Sequence, residues 1–210
     1  MTEPVIGLDL DNTLVSYDRL FHALAVERGL IDSGLPRHKR HIRDAIRAIE
    51  GGELQWRVLQ SLAYGDRMRD ADLAEGVPEF MRACRARRMP VHIVSHRSER
   101  AAADPSGTNL RESALAFMRD RGFFGPDGLG VDPARVWFEP TRVEKVARIA
   151  QLGCNYFIDD LEEVFREDTF PTKVVKILFA PDAITPLTTL TGLRIATSWT
   201  AIHEVVFEGK

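Results

Sequence analysis

The sequence predicts an α/β protein built on a doubly wound, Rossmann-like parallel sheet, with a small α-helical insertion after the first strand. Three observations lead there. From about residue 76 onward, short apolar runs alternate with amphipathic helical stretches, the order that a parallel sheet covered on both faces requires. Between residues 17 and 75 the pattern holds about three helices and no convincing strand. Polar residues, several of them acidic, stand directly after the apolar runs. In such sheets the ligand crevice lies beyond the carboxyl ends of the strands.

The elements follow in order. Val5-Ile6-Gly7-Leu8 is an apolar run ending at Asp9 and reads as a buried strand. Residues 18–29 are helical, with Leu20, Phe21 and Leu24 on one face and Gly29 at the C-terminal end. Pro36 opens a second helix carrying Ile42, Ile46 and Ile49, and Gly51-Gly52 stop it. Leu54, Val58, Leu59 and Leu62 define a third, ending near Gly65. After Gly76 come a helix to about Arg88, a strand at 91–94, and a polar loop from Ser95 to Thr108. A helix with Leu110, Ala114, Phe117 and Met118 on one stripe follows. Strands are expected at 136–138, 156–158 and 174–179, with a helix between the first two marked by Val143, Val146, Ala147 and Ala150. Beyond about 180, an edge strand near 193–195 and a covering helix at 199–207 are expected. No internal repeat or low-complexity stretch is visible.

Composition narrows the class. Hydrophobic residues make up 44% and charged residues 28% of the 210 positions, which suits a soluble globular protein with a real core. Lys and Arg number 28 against 31 Asp and Glu, a formal charge of −3. That balance gives no global reason to expect nucleic acid or an anionic membrane as partner. Cys84 and Cys154 flank apolar periodic stretches and are expected as buried free thiols. The N-terminal residues show no basic leader followed by a long apolar stretch. No run approaches the ~18 apolar residues of a membrane span, and a cytoplasmic location is the expectation.

The residues after the strands carry the chemistry. Asp9 and Asp11 are two apart, so at a strand end they project to the same side. Two carboxylates that close repel unless a cation neutralises them or one takes a proton. Ser95, His96 and Arg97 follow the second core strand, and Glu139 the third, with Lys145 in the early turns of the next helix. Asp159-Asp160, a second acidic pair, follows the fourth. Acids in this arrangement suit a hard divalent cation, and magnesium accepts a few carboxylates while keeping waters that a phosphate can displace. A hydroxyl and an ammonium can hold phosphoryl oxygens, and a free carboxylate oxygen can attack phosphorus.

These residues resemble the motifs of the haloacid dehalogenase superfamily, most of whose members are phosphatases. DLDNT at 9–13 is similar to the family's DxDxT, and IVS at 93–95 to a strand ending in Ser or Thr. Lys145, 14 residues before Asp159, resembles the upstream lysine, and FIDD at 157–160 the closing acidic pair. The resemblance implies a magnesium-dependent phosphohydrolase. Asp9 would be the nucleophile and a metal ligand. Asp11 would be the general acid, then the base, with its backbone carbonyl on the metal. Ser95 and Lys145 would bind phosphate, and Asp159 and Asp160 would complete the magnesium site, Asp160 through water. Thr13 would brace the first loop with its side chain. Asn12 stands where many relatives carry Gly, a tolerated change because Asn accepts unusual backbone angles.

Two placements stay open on the residues alone. At about 100° per residue, Lys145 lies opposite the Val143, Val146, Ala147 and Ala150 stripe. It faces solvent if the helix begins early and the crevice if it begins near Val143, with Arg142 as the alternative cation. Arg97 is either a substrate contact or a surface arginine. The stretch from Asp11 to Ser95 is too long for one crossover, so the expected organisation is a core of 1–16 and 76–210 with a helical cap at 17–75. A cap suits a small soluble phosphate ester as substrate. Its cluster Arg37, His38, Lys39, Arg40, His41 and Arg43 is a solvated face or a contact for a second anionic group. The alternatives in function are a phosphotransferase on the same core and a non-catalytic phosphate-binding protein of this fold. A dehalogenase fits less well, because such enzymes are metal-free and generally lack the second aspartate of DxDxT.

Overall fold

A computed structural model describes residues 3–101, 107–125, 127–182 and 190–209. Part of the polar loop expected at 95–108 and residues 183–189 of the C-terminal segment lie outside these residues. The chain divides into two compact units, Met1–Leu14 with Ala74–Arg97 and Gly122–Lys210, and Val15–Leu73 with Ser98–Arg121.

The first unit opens with β1 (Ile6–Leu8), and β2 (Val15–Ser16), α1 (Asp18–Glu27), α2 (Lys39–Arg47), α3 (Gly52–Tyr64) and β3 (Asp72–Leu73) follow in the second. Back in the first come α4 (Val77–Ala86) and β4 (Val91–His96). After α5 (Leu110–Asp120) of the second unit, the first resumes with β5 (Val136–Glu139), α6 (Arg142–Gln151), β6 (Tyr156–Asp159) and α7 (Glu162–Phe165). It closes with β7 (Val175–Phe179), β8 (Leu193–Ala196) and α8 (Trp199–Phe207).

Six strands of the first unit form one parallel sheet in the order β5-β4-β1-β6-β7-β8. The short central strand β1 is flanked on both sides, with Leu8 level with Ile93 of β4 and Ile158 of β6. Strand residues alternate between the two faces. Val94, Phe157 and Leu178 pack in one cluster with Val146 and Ile149 of α6 and Val164 and Phe165 of α7. On the other face Trp199 meets Phe80 of α4 at 5.0 Å and Phe179 of β7 at 5.8 Å between ring centres. Helices thus cover both faces, as a doubly wound sheet demands. Gly7 is required where β1 passes β6: a Cβ there would lie 2.5 Å from the Phe157 ring and 2.9 Å from Cys154 Sγ.

The second unit is helical, with one feature the sequence pattern does not show. Val15 and Ser16 pair antiparallel with Leu73 and Asp72, a two-residue ladder that joins the two ends of the insertion. Arg19 reinforces it by donating to both Asp72 carboxylate oxygens, at 2.6 and 2.8 Å, and to the Asp70 carbonyl. Inside, Phe21 stacks on Trp56 at 4.9 Å and Tyr17 meets Tyr64 edge-on at 4.9 Å. Lys39 donates to the Tyr64 hydroxyl at 2.9 Å, so part of the basic cluster is absorbed by the unit's own contacts. Gly52, expected as a helix stop, is instead the first residue of α3. A side chain there would collide with the Ile46 carbonyl, 1.9 Å from the Cβ position.

The boundary expected at 17–75 needs correction, because Ser98–Arg121 groups with the helical unit and not with the sheet. The reason is a set of long-range polar ties. Arg121 donates to the carbonyls of Arg69 and Ala71, and the Thr108 hydroxyl donates to Asp66 at 2.8 Å. Cys84 and Cys154 are free and buried, as expected.

Candidate active site

The carboxyl end of β1 is where the chemistry gathers. The Asp9 amide extends the ladder one step beyond β1, donating to the Ile158 carbonyl at 2.9 Å. That sets Asp9 beside the end of β6, where Asp159 is the last strand residue. Gly7, two residues earlier, faces Phe157, so Asp9 and Asp159 both emerge on the face covered by α6. From α6, Lys145 reaches them. Its Nζ donates to Asp9 Oδ1 at 2.5 Å and to Asp159 Oδ2 at 2.7 Å, and all three side chains are buried.

This resolves the lysine placement. The helix starts at Arg142, with the Thr141 hydroxyl accepting from the Glu144 amide as its cap. Its buried face is Lys145, Val146 and Ile149, whereas Val143 is 57% exposed and Ala147 and Ala150 are exposed. Of the apolar stripe drawn from the sequence, only Val146 lies on the buried face. Arg142, the alternative cation, is paired with Glu167.

The group is electrostatically tense. Burial pushes the Asp9 carboxyl well above the usual carboxylate range; Lys145 opposes this, while Asp159, Asp160 and Asp11 add to it. Burial also works against the Lys145 ammonium, but Asp159 and Asp9 outweigh that and hold it above the ordinary lysine value. Asp9, Asp159 and Asp160 each offer a carboxylate oxygen, all within 4.8 Å of one another. Oxygens around an octahedral magnesium at about 2.0–2.1 Å stand roughly 3 to 4 Å apart, so the three fit such an ion with little adjustment. Three carboxylates outnumber the one ammonium, and their oxygens are the donors that suit a hard divalent cation. Asp159 Oδ1 accepts from the Leu161 amide at 2.9 Å, which fixes its rotamer. Leu161 takes the N-cap position of α7.

Ser95 lies two residues past Ile93, the partner of Leu8, and is level with Phe138 of β5. Its hydroxyl is buried and, among the described residues, finds no hydrogen-bond partner. A buried orphan hydroxyl carries an uncompensated desolvation cost of about 1–3 kcal/mol, which a phosphoryl oxygen could relieve. The Thr13 hydroxyl is likewise buried and without a partner. Among the described residues the Thr13 side chain therefore makes no bracing hydrogen bond, while its carbonyl accepts from the Trp199 indole at 3.3 Å. Asn12 has φ 59°, and the turn closes with the Leu14 amide on the Leu10 carbonyl at 3.0 Å.

Arg97 is neither on the surface nor pointed at open solvent. Its side chain is 3% exposed, and its Nη1 stands 2.7 Å from each carboxylate oxygen of Asp11. Sequence reading missed this partnership. The available signal was a cation two residues beyond the serine, directly after the strand that pairs with β1.

A parallel, doubly wound sheet with a buried carboxylate–lysine centre at the ends of its middle strands defines the class. Within it, the chain has the fold of the haloacid dehalogenase-like hydrolases. It is similar to a HAD family hydrolase from Deinococcus radiodurans R1 with bound phosphate and sodium, with a TM-score of 0.61 and 19% identity over 98% of this chain and 96% of that one. It is also similar to Protein Tyrosine Kinase A of Mycobacterium tuberculosis, with a TM-score of 0.60 and 16% identity over 99% and 100% of the two chains. A third is a family IA, variant 3 HAD hydrolase from Entamoeba histolytica HM-1:IMSS, with a TM-score of 0.56 and 15% identity over 98% of each. No protein-family model and no curated protein matches the chain. Among the described residues, no helix is long and apolar enough to cross a membrane.

Proposed function

We propose that the protein is a magnesium-dependent phosphohydrolase that acts on a small phosphate monoester through an aspartyl-phosphate at Asp9. The observation that carries this reading is the buried Lys145 ammonium held between Asp9 and Asp159, beside a third carboxylate that could share a metal ion with those two. A structural ion pair has no need of a third acid; a phosphoryl-transfer site does. Magnesium would be held by Asp9, Asp159, Asp160 and the Asp11 carbonyl, and when bound it would offset negative charge on the phosphoryl oxygens.

The chain's own groups then divide the work. Lys145 and Ser95 hold phosphoryl oxygens, and Lys145 also keeps Asp9 close to the reacting phosphorus. An Asp9 carboxylate oxygen attacks phosphorus, and the bond to the ester oxygen breaks with its electron pair. Asp11 gives that oxygen a proton. Asp11 then takes a proton from water, the hydroxide attacks phosphorus, and the bond to Asp9 breaks, releasing inorganic phosphate and restoring the carboxylate.

The test is phosphate release from a panel of small phosphate esters, with magnesium and with chelator, comparing wild type with Asp9→Asn. Metal-dependent release that vanishes in the variant supports the reading, and equal release by the variant sinks it. The fold likeness to a protein named as a tyrosine kinase favours one second reading, transfer of the phosphoryl group to an acceptor other than water. Turnover of ester that yields a new phosphorylated product, without stoichiometric inorganic phosphate, would favour that reading.

A further inference from the structure

The Asp11–Arg97 pair is more enclosed than a surface ion pair, and it sits on the group that the proposed reaction needs for proton transfer. A carboxylate's terminal torsion is soft and broad, so a free aspartate at a strand end would sample many orientations. Here one guanidinium nitrogen stands 2.7 Å from both oxygens, a charge-assisted tie that narrows the orientations the carboxylate can adopt.

The arginine is itself anchored. Its amide donates to the Glu139 carbonyl at 3.0 Å, at the end of the β4–β5 ladder. The neighbouring His96 ring nitrogen is 3.1 Å from the Pro140 carbonyl. The Glu139 carboxylate accepts from Arg148 at 2.7 Å, and that guanidinium lies over the Trp137 ring. The edge strand thus holds the arginine's backbone, and the arginine holds Asp11.

We propose that Arg97 is a positioning residue for Asp11, fixing the orientation in which Asp11 exchanges a proton with the leaving oxygen; the inference rests on the phosphohydrolase reading. It replaces a role for Arg97 as a substrate contact. Holding a proton donor in one orientation raises rate without new binding energy, so removing Arg97 acts on the bond-breaking step in proportion to how much that step needs the proton.

The experiment compares kcat/KM for p-nitrophenyl, phenyl and alkyl phosphates, whose leaving oxygens need protonation increasingly, in wild type, Arg97→Lys and Arg97→Met. General acid catalysis contributes about 10²–10⁴-fold, so each variant is expected to lose at least about tenfold more on the alkyl ester than on the nitrophenyl ester. In an Asp11→Asn background, the further change Arg97→Lys is expected to alter phenyl phosphate turnover by less than about threefold, because both residues act through one step. An equal loss on all three esters overturns the proposal. So does full additivity with Asp11→Asn, or a rise in KM with kcat unchanged, which marks a substrate contact. If Arg97→Met does not fold, the lysine variant decides alone, since it keeps the charge but replaces the rigid guanidinium with a point charge on a flexible stem. Unchanged activity in Asp9→Asn would instead defeat the phosphohydrolase reading and is recognisable as such.

Discussion

Replacing Lys145 with Met keeps the length of the stem but removes the ammonium from between two buried carboxylates. The side chains of Lys145, Asp9 and Asp159 are 1%, 7% and 0% exposed, so water has little access to take the lost partner's place. The about 0.2–1 kcal/mol of an exposed ion pair is therefore the wrong scale. Breaking a buried pair costs about 3–5 kcal/mol, because a charge is left uncompensated. Lys145→Met should lose stability in that range in chelator. Asp159→Asn should lose less, since Asp9 still faces the lysine. The double variant should be more stable than the sum of the two losses predicts, by at least about 1.5 kcal/mol, because removing Asp159 relieves the repulsion that the missing ammonium exposed. Urea unfolding followed by tryptophan fluorescence measures all three. Losses below about 1 kcal/mol that simply add would refute the reasoning and mean that the group is solvated.

Two further outcomes follow from packing. Gly7→Ala places a Cβ 2.5 Å from the Phe157 ring; it should destabilise the fold by about 1–3 kcal/mol, and an unchanged thermal midpoint would contradict the close approach. Burial pushes the Cys84 and Cys154 thiols from 9.0 up to about 12 and about 11. The thiolate is the reactive form, so at pH 8 neither should react with an aromatic disulfide reagent until the protein unfolds. Because both are raised on folding, their stabilising effect is complete below pH 9 and declines as pH rises from there towards 11 and 12. Rapid native-state labelling, or stability that rises across that window, would contradict the burial.

The sheet was legible because its central strands are apolar runs that lead into polar residues. Leu8 before Asp9 marks the end of β1, whereas β4 and β6 run past their apolar stretches to His96 and Asp159, because the ladders with β5 and β7 continue there. Less legible was whatever depends on distant partners. Apolar counting on α6 selected Val143, Val146, Ala147 and Ala150, of which Val146 alone is buried; alanine loses little by exposure, and the buried face is set by what Lys145 meets near the ends of β1 and β6. The β2–β3 ladder spans two residues a side, too short for any periodicity to register. The amphipathic character of α5 was visible, but its unit was decided by Arg121 reaching carbonyls about fifty positions upstream. Arg97 looked like a loop cation because its partner, Asp11, is 86 residues away.

The most direct measurement is on the covalent step. Wild-type protein with magnesium would be mixed with a phosphate ester labelled at phosphorus, quenched in acid within milliseconds, and digested for peptide mapping. A nucleophilic Asp9 predicts label on the peptide containing Asp9, lost on mild alkali as an acyl phosphate is, and absent from Asp9→Asn. Label on a different residue, or full turnover by Asp9→Asn, would contradict it.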